Sequence, residues 1–126
     1  MFAFSFLYPR PKTRLFDYEH HRHVHMTMGI GLPEQYLGIR PKMFWIERID
    51  EGVNESAERY AAIVHVLFEN RRDLEIFTTL SSFEEAVRKL SDDYANYTDA
   101  APEIRISRWT LNDDIEALIA NYNSHS

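Results

Sequence analysis

Along residues 2–8 the side chains alternate. Phe2, Phe4, Phe6 and Tyr8 fall on one side, and Ala3, Ser5 and Leu7 on the other. A period of two with aromatics predicts a β-strand, and the lack of a strongly polar side predicts cover on both faces. Pro9 and Pro11 end it. Asp17 is placed to cap a helix, with Phe16 as a staple before it and Glu19 in its first turn. That helix is expected to run to about Met28 and to stop at Gly29, Gly31 and Pro33. Residues 42–49 and 60–68 are apolar, β-branched and aromatic, and read as two strands. The polar stretch 50–59, with Gly52 and Asn54, makes them an antiparallel pair. Residues 71–95 are helical in pattern: Leu74 and Phe77, then Phe83, Ala86, Val87 and Leu90. A break and recap is expected at Ser81 or Ser82, because Glu85 stands three residues after Ser82. Residues 103–109 form a fourth strand, and Asn112 caps a last helix whose stripe is Ile115, Leu118, Ile119 and Tyr122.

The order β-α-β-β-α-β, with an extra C-terminal helix, is that of an α+β, ferredoxin-like unit: an antiparallel sheet with helices on one face. Several strands are apolar on both sides, as with Phe44 and Ile46 against Met43, Trp45 and Ile49. A sheet face that apolar predicts a partner surface, filled by a second copy in a homodimer through the sheet faces. The competing arrangement is a monomer whose C-terminal helix covers that face. The last stripe reads equally as an arm across a dimer or as a lid on its own subunit.

Composition narrows the class. A chain of 126 residues suits one domain. It has no cysteine, which rules out disulfides and thiolate metal sites and fits a reducing, cytoplasmic setting. Acidic residues outnumber basic ones 20 to 14, for a net charge of −6, which argues against nucleic-acid binding. Arg10, Lys12 and Arg14 read as a solvated loop. No apolar run reaches the ~20 residues of a membrane span, and no phosphate loop, nucleophile elbow or dinucleotide fingerprint is present.

Four of the six histidines, His20, His21, His23 and His25, stand in one short stretch. At about 100° per residue, His20, His21 and His25 share a face with Tyr18, Val24 and Met28, and Glu19, Arg22 and His23 lie opposite. Three readings stay open. Imidazole can move protons at neutral pH. His21 and His25, joined by His65, can hold a metal ion. Or the rings are structural.

Tyr8-Pro9, Phe16-Asp17, His25-Met26 and Tyr97-Thr98-Asp99 with Pro102 occur in an order and spacing that resembles the EthD family of the dimeric α/β-barrel superfamily. The resemblance covers about residues 2–109. It implies a ferredoxin-like subunit, a twofold dimer with facing sheets, and a cleft between each sheet and its helices. It matches His25, Asp17 and Thr98 to family positions. Thr27 stands where the family has the proline of His-Met-Pro, and His20-His21 where it commonly has Tyr-Tyr. Residues 1–110 are thus read as the EthD-like domain and 111–126 as a helical extension. Many of the related barrel families share small hydrophobic or aromatic ligands, which is what the resemblance implies for the ligand class.

The resulting expectation is a cofactor-free enzyme working by acid–base chemistry on a small hydrophobic or aromatic carbonyl metabolite, of cyclase, isomerase or decarboxylase type. His25, His21 and Tyr18 are the candidate catalytic residues, and Phe6, Tyr8, Trp45, His65 and Tyr97 the expected pocket wall. The alternative is a non-catalytic accessory or ligand-binding protein of a catabolic pathway.

Overall fold

The computed structural model describes residues 1–50, 59–111 and 114–125. The connection with Gly52 and Asn54 and the expected Asn112 cap lie outside them. Four strands, β1 (Phe2–Pro9), β2 (Met43–Arg48), β3 (Tyr60–Phe68) and β4 (Glu103–Arg108), make one sheet in the order β2-β3-β1-β4. Every neighbouring pair is antiparallel. Phe4 stands opposite Val66 on one side and Ile106 on the other, so the alternation read from β1 fixes both registers. The expected α+β, ferredoxin-like sheet is the observed one.

Phe2, Phe4, Phe6 and Tyr8 share their face with Ala62, Val64, Val66 and Phe68, and all the interior helices lie over it. Phe16, Met26, Leu74, Phe77 and Tyr97 complete this core. Burying each large apolar side chain there stabilises the fold by roughly 1.5–3 kcal/mol.

The first helix, α1, is longer than its sequence predicts. It opens as Tyr18–His20, capped by the Asp17 carboxylate on the His20 amide (3.0 Å). It then passes through a π-helical turn, His21–His25, and continues as Met26–Leu37. Gly29, Gly31 and Pro33 therefore do not end it. Each glycine costs about 1 kcal/mol of helix propensity, and an interior proline more, but buried Met26, Leu32 and Pro33 hold the segment down. It ends at Gly38, whose φ of 65° closes the last turn on the carbonyls of Pro33 and Glu34.

Helix α2 (Arg71–Thr78) is capped by Asn70, and a 3-10 turn, Thr79–Ser82, breaks the run before α3 (Glu84–Asp93). The break stands where expected, but Ser82 is not the cap: Phe83 occupies that position without a side-chain hydrogen bond. A second 3-10 turn, Tyr94–Asn96, follows α3. Helix α4 (Ile115–Ser124) is capped by Asp114, and its stripe is open to solvent, with Ile119 half exposed and Tyr122 74% exposed. It is not a lid on its own subunit. No helix among the described residues is long and apolar enough to cross a membrane.

On the second sheet face Ala3, Leu7, Ile63 and Leu67 are buried within the single chain. These four residues of the two central strands are therefore not open to a partner. Exposed apolar side chains sit instead on the edge strands: Met43 and Phe44 on β2, Ile104 and Ile106 on β4. The helices cover the two central strands and leave the outer ones open.

Candidate functional site

Between α1, α2, α3 and the sheet lies a cavity of about 200 Å³. Phe4, Phe6, Tyr8, Val66 and Ile104 floor it, and His25, Met26 and Gly29 roof it. Phe77 and Leu80 close one side, and Val87, Leu90 and Tyr94 the other. Thr78, Ser81 and Ser91 add hydroxyls, and among the described residues no Asp, Glu, Lys or Arg lines it. An apolar space with few polar groups is the usual build of a small-molecule pocket.

His25 is the imidazole at this cavity. Its side chain is 7% exposed, and its Nδ1 lies 3.1 Å from Oδ2 of Asp93, a residue the sequence reading did not single out. Asp93 is buried at the C-terminal end of α3. Its Oδ1 accepts from His20 Nε2 (2.8 Å) and Asn96 Nδ2 (2.9 Å). Burial pushes the Asp93 carboxyl up, but the hydrogen bonds from Asn96, His20 and His25 outweigh it and hold the group below the usual carboxylate range. An ionised carboxylate only accepts, so the proton between His25 and Asp93 sits on Nδ1. In neutral His25 the lone pair is then at Nε2. Burial lowers the proton affinity of His25, and the bond to Asp93 only partly offsets this. The ring is thus neutral at pH 7.

The π turn creates this geometry. Closing the helix five residues apart, Met26 N–H on His21 O, brings positions five apart into line. His20 and His25 thereby reach the same carboxylate. The same widening turns Val24 outward to 43% exposure, where an ideal helix placed it inside.

Tyr8 lines the cavity and is hydrogen-bonded to Tyr97, hydroxyl to hydroxyl at 3.0 Å. Burial raises both phenols well above the ordinary tyrosine range, so both stay protonated. With Tyr97 donating to Tyr8, the Tyr8 O–H is left to donate elsewhere. Tyr97 stands behind Tyr8 and packs on His25, ring centroids 4.9 Å apart.

The other expected site residues are placed differently. His21 is fully buried among Tyr8, Phe16, His25 and Tyr97, with neither ring nitrogen hydrogen-bonded, and does not line the cavity. Burial, with His25 beside it, lowers its pKa to about 4. Tyr18 spends its hydroxyl on the Ala61 carbonyl (2.9 Å) under the Arg48 guanidinium, also away from the cavity. Trp45 and His65 need correction as wall residues. Strand parity puts them on the opposite sheet face, where His65 bonds Ser5 Oγ (2.9 Å) and Glu47 (3.0 Å) and packs against Trp45 and Trp109. The sheet separates His65 from His21 and His25, so the three cannot share one metal ion. Asp93 does carry a signal in the sequence: Phe83, Ala86, Leu90 and Asp93 continue one helical stripe, which puts a carboxylate in a core position.

Two of the solved structures that share this architecture bear on the fold. One is an EthD-like protein from Ralstonia eutropha JMP134, 21% identical, aligned over 90% of this chain and 96% of that one with a TM-score of 0.65. The fold is that of the EthD-like proteins. The other, an ethyl tert-butyl ether D (EthD) family protein from Bacillus halodurans C-125, is 12% identical, with coverage of 87% and 99% and a TM-score of 0.54. No protein-family model and no curated protein matches the sequence. The EthD-like fold accounts for the sheet, the helix layer and the space between them. The chemistry of that space rests on this chain's own side chains.

Proposed function

We propose that this chain, as an EthD-like protein, takes a small apolar or aromatic carbonyl compound into the cavity between helices and sheet. His25 moves a proton to or from it without a cofactor. The supporting observation is a neutral imidazole at the wall of an apolar cavity, its Nδ1–H fixed on a buried carboxylate. Apolar cavities of roughly 150 Å³ already accept a benzene-sized guest, so about 200 Å³ suits one substituted ring. Proton abstraction beside a carbonyl needs a placed base and a donor for the developing oxyanion. His25 Nε2 is the base, and the Tyr8 O–H, backed by Tyr97, is the donor. Residues 1–110 carry this site, with 111–126 as an extension. The open edge-strand residues and the bare α4 stripe favour a homodimer, which sedimentation would register.

The test is a panel of small aromatic ketones and keto acids, followed by NMR in deuterated buffer. Expected are shifts at His25, Tyr8 and Tyr94 and deuterium uptake beside the carbonyl. His25→Ala should slow that uptake by about 100-fold or more. Exchange that survives the substitution overturns the catalytic reading. Binding without exchange in the unmodified protein leaves a ligand carrier.

A further inference from the structure

Asp93 is shared by two imidazoles, and only one of them faces the cavity. His20 holds Oδ1 at 2.8 Å with its side chain a quarter exposed, and His25 holds Oδ2 at 3.1 Å with 7% exposed. One carboxylate balances one imidazolium. A second would leave a net positive charge beside the buried ring of Tyr97 and the neutral His21.

We propose that His20 and His25 share a single proton across Asp93, so that a proton taken up by His25 inside the cavity is matched by one released from His20 to water. This rests on the reading of His25 as the base. In the step, a C–H bond of the bound compound breaks and its electron pair stays on the compound. The proton adds to His25 Nε2, and when the shared proton is on His20 it leaves from Nδ1 to water while the Nε2–H of His20 remains on Asp93. The net charge of the His20–Asp93–His25 group is unchanged, and the bound compound keeps the negative charge left behind by the proton that His20 releases to water. His20 is a positioning residue here: it touches Asp93 and not the cavity. Other groups around the pair are fixed or neutral. Tyr8, Tyr94 and Tyr97 stay protonated, His21 stays neutral, and Asp17 caps the helix through the His20 amide. Arg14 holds the carbonyls of Ala95 and Asn96 with its guanidinium. The electrostatics around His25 point the same way: burial depresses its proton affinity most, Asp93 opposes this, and the charge of His20 depresses it further.

The experiment follows every histidine ring by NMR from acid to alkaline pH in the ligand-free protein and in His20→Gln. Glutamine can still donate to Asp93 but cannot take up a proton. In the unmodified protein the His20 and His25 rings should report the same two midpoints, as coupled groups do. In His20→Gln, His25 should titrate in one step, shifted up by about half a pH unit or more. Independent single steps at His20 and His25 in the unmodified protein overturn the proposal even if the variant fails to fold. So does an unmoved His25 midpoint in a folded variant. No substrate is needed. Failure here leaves the role of His25 standing, and failure of the exchange experiment leaves the shared proton standing.

Discussion

His21 gives the sharpest stability prediction. Its ring is fully buried and its pKa falls from 6.5 to about 4, so the native state resists a proton that the unfolded chain accepts. The sign follows. Above pH 6.5 both states hold His21 neutral and it contributes no pH dependence. Between 6.5 and about 4 only the unfolded state is protonated there, and stability falls as pH drops. The slope approaches 1.4 kcal/mol per pH unit in that window. Integrated from pH 7 to pH 5, this one ring costs about 2 kcal/mol, a large share of the roughly 5–15 kcal/mol that holds a domain together. His21→Phe removes the titrating group and leaves a ring among Tyr8, Phe16 and Tyr97. Urea unfolding of both proteins at pH 7 and pH 5 isolates the effect, since all other groups titrate in both. The variant should lose about 2 kcal/mol less than the unmodified chain. Equal losses would show that His21 is not held neutral by burial.

Asp93→Asn replaces an acceptor pair with an amide whose NH₂ cannot accept from His25. The nitrogen-bound proton of His25 should move from Nδ1 to Nε2, visible in ¹⁵N-histidine spectra, and proton exchange on a bound ketone should fall with it; an unchanged tautomer refutes the assignment. Gly31→Ala, with open space around its new Cβ inside α1, should stabilise by about 0.5–1 kcal/mol. Gly38→Ala has equal space but a φ of 65° and should destabilise by about 1 kcal/mol; thermal or urea unfolding reads both signs, and like signs would contradict the backbone argument. Ser5→Ala strips His65 Nδ1 of its buried partner and should cost about 1–3 kcal/mol in the same assay.

What the sequence determined by itself follows from period and punctuation. Alternation in residues 2–8, the β-branched run of 60–68 and the Asp17 cap each depend on neighbours a few positions away, and each was legible. Strand order followed, because connections between these elements leave few topologies. His25 could be placed on an inward face for the same reason. Other features depended on contacts distant in the chain. Helix α1 passes through two glycines and a proline because tertiary burial outweighs local propensity. The π turn that brings His20 and His25 closer into line has no sequence signature at this length, and the carboxylate that both rings reach stands some 70 positions later. Residue type alone points Trp45 and His65 to the cavity, and parity across a paired strand puts them behind the sheet. Local pattern thus settled which elements form, and the packing of helices on the sheet decided which side chains meet. A hydrogen-bonded pair such as His25 and Asp93 is set by distance in space, which no spacing along the chain encodes.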